Sequence, residues 1–268
     1  MKLAYPICSQ DYTGSVMGFS DTYDNVFPLL KEYGYEGIEL LIRDPAAVDT
    51  EALDKALDTY KLKIAGIGTN PMQKADKLFL LSDDYEIRRE ARVRCSGLID
   101  LCKRYGANAL IGKYRGMINP DIPGCTWDDL MEITHSICRE AADKKVKVNL
   151  EPQNSANINN LTSIGYALTW IQLCNEGNLG ILADIYHMDA TEQDICSSMK
   201  TAGSKINFIH MSDSERKVPG QGNIDIKSVV RCLSDIGYNG YMSFEINQYP
   251  DSITAARECA DYIKNCLQ

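Results

Sequence analysis

The chain is short of the residues that build several common kinds of site. Of 268 residues, 3 are histidine, 2 tryptophan and 5 phenylalanine. Three histidines cannot furnish a histidine-rich trinuclear zinc site. Basic clusters are also missing: 28 Lys and Arg stand against 37 Asp and Glu, a formal net charge of -9, and no local run reverses the sign. Nucleic acid phosphates and anionic lipid are therefore not expected partners. No apolar run approaches the roughly 18 to 20 residues that a membrane-spanning helix needs. The first residues, MKLAYPICSQDYTGS, carry only a brief apolar stretch, so a secretory signal is not expected. Cysteine is plentiful, with 10 residues, but never spaced as C-x-x-C. The thiols read as core packing residues in a reducing, cytoplasmic setting. A glycine-rich phosphate turn does not follow the first apolar run, which argues against an open dinucleotide-binding sheet.

What is present is a repeat of apolar, β-rich runs, at residues 2–8, 37–42, 63–69, 109–113, 146–151, 179–184, 206–212 and 240–246. Runs such as KIAGIG, LGILAD and KINFIH are nearly continuous in apolar residues, as in parallel strands covered on both faces. Between them lie helical patterns of period 3.6, for example Val26, Leu29, Leu30 and Tyr33, or Val229, Val230, Leu233 and Ile236. Several end on glycine where a left-handed cap is wanted, as in KEYGYEG, KRYGAN and SDIGYNG. With 44% hydrophobic residues there is material for a large core. The expectation is an α/β protein, one (β/α)8 TIM barrel spanning residues 1–268 as a single domain. The longer irregular segments, 9–21, 70–83, 114–126 and 212–222, all follow strands, on the face where such barrels place their chemistry.

Four metal-ligand types close four successive runs: Glu151 ends VKVNLE, Asp184 ends LGILAD, His210 ends INFIH and Glu245 ends YMSFE. Taken alone, Asp184 reads as a helix or turn cap, and His210 as a satisfied interior histidine. All four in phase on strands five to eight point instead to one shared centre at the barrel mouth. Three carboxylates and an imidazole suit one divalent ion, Mn2+ first, with Co2+ or Mg2+ as alternatives.

His187, three residues after Asp184, is expected beside this centre, donating to or accepting from a substrate hydroxyl. Arg216, in the loop after the seventh run, is expected to fork onto a substrate oxygen or onto Glu151. Arg43, Lys113 and Arg115 stand near the ends of runs two and four and point to an acidic group on the substrate. Pro219, Gly220, Gln221 and Gly222 read as a tight loop positioning Arg216 more readily than as a phosphate cradle. His135, mid-helix in LMEITHSICRE, reads as structural.

These motifs resemble the xylose-isomerase-like TIM-barrel superfamily of sugar isomerases and epimerases. Its tagatose/psicose 3-epimerase branch shares the Glu, Asp, His, Glu order, and its motifs match NLEPQN, ADIYHM, HMSDSERKVPGQGNIDI and FEI. The chain is more closely similar to the 5-keto-L-gluconate epimerase type, through GYEGIELLIRDP, IGKYRG and GILADIYHM. The resemblance implies a metal-dependent epimerase or isomerase of a small keto-sugar or keto-sugar acid, with Glu151 and Glu245 exchanging a proton on opposite faces of one carbon. It also implies that His187 and Arg216 bind substrate. One segment departs: where the epimerases read E-P-L-N-R-Y-E, this chain has Glu151, Pro152, Gln153, Asn154, Ser155, Ala156 and Asn157. A lyase or dehydratase of the inosose dehydratase or C-glycoside deglycosidase kind, and a noncatalytic sugar-binding barrel, are the alternatives. A homo-oligomer is compatible with all of these readings.

Overall fold

The computed structural model describes residues 1–267. Eight parallel strands form a closed barrel in sequence order: β1 (Lys2–Cys8), β2 (Gly37–Leu41), β3 (Lys63–Gly68), β4 (Asn108–Ile111), β5 (Val148–Leu150), β6 (Leu179–Asp184), β7 (Ile206–His210) and β8 (Tyr241–Ser243), with β8 pairing back onto β1. The outer ring is α1 (Tyr23–Glu32), α2 (Thr50–Tyr60), α4 (Tyr85–Tyr105), α5 (Trp127–Asp143), α6 (Ile164–Cys174), α8 (Ile195–Ala202), α9 (Ile226–Asp235) and α10 (Ser252–Leu267). Two short helices, α3 (Asn70–Asp76) and α7 (Ile185–Thr191), start directly after β3 and β6 on the C-terminal face. They are additions to the simple eightfold repeat, built from segments that the period-3.6 pattern did not single out. The glycine caps are as expected, with Gly34, Gly106 and Gly237 at φ of 82°, 64° and 72°. That left-handed conformation costs other residues a clash between Cβ and the backbone.

Strand alternation divides the core in two. Outward residues such as Tyr5, Ile38, Ile67, Ile111, Ile181 and Ile209 pack under the helices in one large cluster. Ala4, Ala65, Leu110, Leu182 and Phe208, from five different strands, form a separate cluster on the opposite strand face, inside the barrel. Period-2 alternation then makes the next inward residues Asp184 after Leu182 and His210 after Phe208. The apolar plug is thus the floor on which the polar groups stand. The ten thiols are free and eight of them are buried, so cysteine serves packing here. Among the described residues no helix is long and apolar enough to cross a membrane.

Candidate metal centre

Glu151, Asp184, His210 and Glu245 meet at the mouth of the barrel, each offering one ligand atom within 4.8 Å of the others. Asp184 and His210 are the last residues of β6 and β7 and lie in register with each other. Glu151 follows β5 by one residue, whereas Glu245 lies two beyond the end of β8, so the sequence reading ran that strand too long. All four are buried, at 1 to 8% exposure. Glu151 Oε1, Asp184 Oδ2 and His210 Nδ1 are shielded from solvent and make no hydrogen bond among the described residues. Buried polar atoms left this way cost free energy unless something binds them. Three unpartnered donor atoms aimed at one point, from a mainly oxygen set, fit a divalent cation.

Glu39, which the sequence reading did not single out, completes the histidine. It lies inward on β2, 2% exposed, with both carboxylate oxygens 3.0 and 3.1 Å from His210 Nε2. Nε2 therefore donates to Glu39, which turns Nδ1 toward the centre, where a cation would take the place of the Nδ1 proton. Burial opposes charge on His210, but Glu39 and Glu245 hold its pKa well above the ordinary value. The signal for Glu39 was available: it is the one charged residue in GIELLI, at an inward position of the alternation.

Asp184 satisfies both of its sequence readings at once. Oδ1 caps α7, accepting from the backbone N–H groups of Tyr186 at 2.9 Å and His187 at 3.4 Å, while Oδ2 makes no hydrogen bond and faces the centre. Arg216 lies over Asp184 and Glu245, with Nη2 2.8 Å from Asp184 Oδ2, out of line for a hydrogen bond, and 3.1 Å from Glu245 Oε2. Of the two targets expected for it, a substrate oxygen or Glu151, it forms no ion pair with Glu151. Burial would raise the pKa of both carboxyls, but Arg216 outweighs it and holds Glu245 low and Asp184 well below the usual range. Glu151 forms no ion pair with Arg or Lys among the described residues, and burial pushes its pKa up against the opposing pull of His210.

Arg216 is held in place by the loop from 213 to 224. Glu215 and Arg216 both adopt left-handed φ of 58°, a strained conformation for non-glycine residues. Asp213, fully buried, ties the loop together by accepting from the N–H groups of Ser214, Gly220 and Ile224. The Gly220 N–H is thus spent on Asp213, and the tight-loop reading of Pro219 to Gly222 describes the segment. His187 is 2% exposed, its Nδ1 accepting from the Asn154 N–H at 3.3 Å. Its Nε2 lies 3.3 Å from Arg216 Nη2, which can only donate, and 4.0 Å from both Glu151 Oε1 and Asp184 Oδ2.

The expected cationic rim is largely absent from the mouth. Arg115 is 1% exposed and donates to Asn160 Oδ1 and to the carbonyls of Gly112, Glu151 and Asn160. It braces the backbone beneath Glu151 and does not reach the cavity; burial lowers its pKa to about 10. Arg43 grips both oxygens of Asp76. Only Lys113 of the three lines the cavity, exposed and in no ion pair among the described residues. His135 bonds to Glu176 at 2.8 Å, away from the mouth, in agreement with its structural reading. The cavity is lined by Glu39, Glu151, His210 and Glu245, by Leu41, Leu110 and Leu182, and by the polar wall Asn70, Gln73, Lys113 and Gln153.

A closed parallel barrel with a convergent acidic and imidazole cluster at its C-terminal mouth defines a TIM-barrel protein with a candidate divalent-metal centre. The chain belongs to the xylose isomerase-like TIM barrel family, whose model matches residues 27–266. It is 26% identical over 219 residues to the ketose 3-epimerase of Arthrobacter globiformis, covering 80% of this chain and 74% of the relative. It is 24% identical over 237 residues to the fructoselysine 3-epimerase of Shigella flexneri, covering 83% and 84%. In fold it superposes on D-allulose 3-epimerase from Methylomonas sp. with a TM-score of 0.79 at 20% identity, over 99% of this chain and 98% of that one. It superposes on 3-keto-D-glucoside 4-epimerase from E. coli with a TM-score of 0.78 at 19% identity, over 99% and 100%. At these identities the structural likeness speaks for the fold.

Proposed function

We propose that this protein is a divalent-metal-dependent epimerase or isomerase of a small keto-sugar or keto-sugar acid. The observation that carries the reading is the convergence of Glu151, Asp184, His210 and Glu245, three of whose buried ligand atoms make no hydrogen bond among the described residues. The epimerase names of the relatives support it. A cation held by the four side chains, Mn2+ or else Co2+ or Mg2+, would withdraw charge from a substrate carbonyl and its neighbouring hydroxyl and so acidify the adjacent C–H bond.

The protein's own residues do the rest. Glu151 and Glu245 approach from β5 and from beyond β8, flanking the pair formed by Asp184 and His210. One glutamate takes a proton from the carbon and the other returns one to the opposite face, inverting the centre. Glu39 fixes the tautomer and the angle of His210. His187 and Arg216, in contact through Nε2 and Nη2, bind substrate oxygens; Arg216 also keeps Asp184 and Glu245 ionised. Leu41, Leu110 and Leu182 keep the floor of the cavity apolar, and Lys113 meets the substrate on the remaining wall. The acidic form of the substrate rests on Lys113 alone, now that Arg115 and Arg43 are otherwise engaged.

The test is to load the protein with Mn2+ and incubate it with a panel of ketoses and keto-acids in deuterated water, following C–H signals by NMR. Deuterium entering one carbon, with the epimer or isomer accumulating, is the expected result. A stoichiometry far from one metal per chain, or no exchange with any member of the panel, would sink the reading.

A further inference from the structure

Gln153 belongs to the segment in which this chain departs from E-P-L-N-R-Y-E, at the leucine position. Its Nε2 donates to Glu151 Oε2 at 2.6 Å. Its other amide atom, Oε1, is buried and receives no hydrogen bond among the described residues, in a side chain that lines the cavity. The amide orientation follows from the chemistry, because turning it over would set oxygen against a carboxylate oxygen. Space for the pair is reserved by Gly112 at the end of β4. A Cβ there would stand 2.2 Å from Glu151 Oε2 and 3.0 Å from Gln153 Nε2, so no larger residue leaves the contact intact. Glu151 Oε1, the oxygen Gln153 does not touch, is the unpartnered one, 3.6 Å from His210 Nδ1.

We propose that Gln153 is a positioning residue for Glu151: it holds Oε2 to one side so that Oε1 alone is presented to the metal, leaving Oε2 for proton transfer. The proposal rests on the reading of Glu151 as ligand and base. Glu245 has its counterpart in Arg216, which holds by charge what Gln153 holds by a neutral hydrogen bond. Removing the amide frees Oε2 to swing toward the cation, so Glu151 becomes a two-oxygen ligand and a poorer base.

The test begins without substrate. Metal-free wild type, Gln153→Leu and Gln73→Leu are titrated with Co2+, and the ligand-field absorption is recorded. Gln73 lines the same cavity, so Gln73→Leu controls for loss of a cavity amide. Gln153→Leu should change the band shape and intensity and shift affinity by about tenfold or more, while Gln73→Leu matches wild type. Gln153→Met, close to glutamine in length and without an amide, should repeat the effect if leucine disturbs folding. Wild-type spectra and affinity in both Gln153 variants would overturn the proposal. Wild-type protein that binds no Co2+ would overturn the metal reading on which it rests. In deuterated water, Gln153→Leu should lose exchange about tenfold or more with one stereoisomer only. Equal losses with both stereoisomers would also overturn it.

Discussion

Glu151 and Glu245 are the same side chain at the rim of the same barrel, each 3.5 to 3.6 Å from the same histidine nitrogen. Their neighbours make them unlike. Glu245 lies under the guanidinium of Arg216, which keeps it charged although it is buried. Glu151 accepts from the neutral amide of Gln153, and burial raises its pKa. The two glutamates, proposed as bases on opposite faces of one carbon, are thus held by different physics, charge on the β8 side and a neutral hydrogen bond on the β5 side. Symmetry of chemistry does not require symmetry of environment, because a bound cation would favour the ionised form of both.

The largest expected effect sharpens that contrast directly. Glu151→Gln and Glu245→Gln should each lower inversion by about 10² to 10⁴, while each retains deuterium exchange with the stereoisomer that the remaining glutamate faces. NMR with both stereoisomers reads this. Exchange by both variants with the same stereoisomer only would leave a single-base mechanism. Next in size is Arg216→Met, which leaves Asp184 and Glu245 buried without their cation and should cost about 3 to 5 kcal/mol in chelator-treated protein. Added Mn2+ should recover part of it in urea unfolding. An equal loss with and without metal would mean that Arg216 acts through loop packing, not through charge.

Glu39→Gln tests whether the histidine between the two glutamates needs its own anchor. It should weaken metal binding about ten- to hundredfold by calorimetry, with the fold intact. Unchanged affinity would reduce Glu39 to a passive neighbour. The smallest effect is in pH. The folded pKa of Glu151 is raised, so as pH falls it takes up a proton before an ordinary glutamate would, and metal must then displace that proton. Beyond the proton on His210, which metal must displace throughout this range, this second proton should make affinity decline on acidification before Glu245 begins to protonate. Glu151→Gln should flatten this early decline and Glu245→Gln should not, as isotherms at descending pH would read. The same decline in both variants would erase the distinction.

Much of the architecture was legible because its code is local. Lys2–Cys8 and Leu179–Asp184 lie where the apolar runs placed them, and Gly34, Gly106 and Gly237 cap where the helical patterns stop. The four converging side chains were legible for the same reason, since each ends an apolar run and parallel strands in a barrel all point one way. Other features were not. Arg115 looked like a rim cation because it follows a strand, but it turns under the rim to satisfy carbonyls from β5 and its loop. Arg216 pairs with Asp184 and Glu245 and not with Glu151, one of its two expected targets, because its aim depends on the left-handed pair at Glu215 and Arg216 and on the knot around Asp213.

The order of residues alone specified the periodicities: which residues face the interior of each strand, where helices end, and that four metal-ligating residues stand at or just beyond the ends of strands five to eight. These follow from the 2.0 and 3.6 residue repeats of the backbone, which need no knowledge of distant neighbours. The tertiary structure decided the partnerships: Glu39 with His210 across 171 positions, Arg216 with Asp184 across 32, and Gln153 folded back onto Glu151 in the space left by Gly112. Such pairings depend on barrel closure, loop strain and side-chain direction together. They are therefore properties of assembled surfaces, and no single stretch of chain carries them.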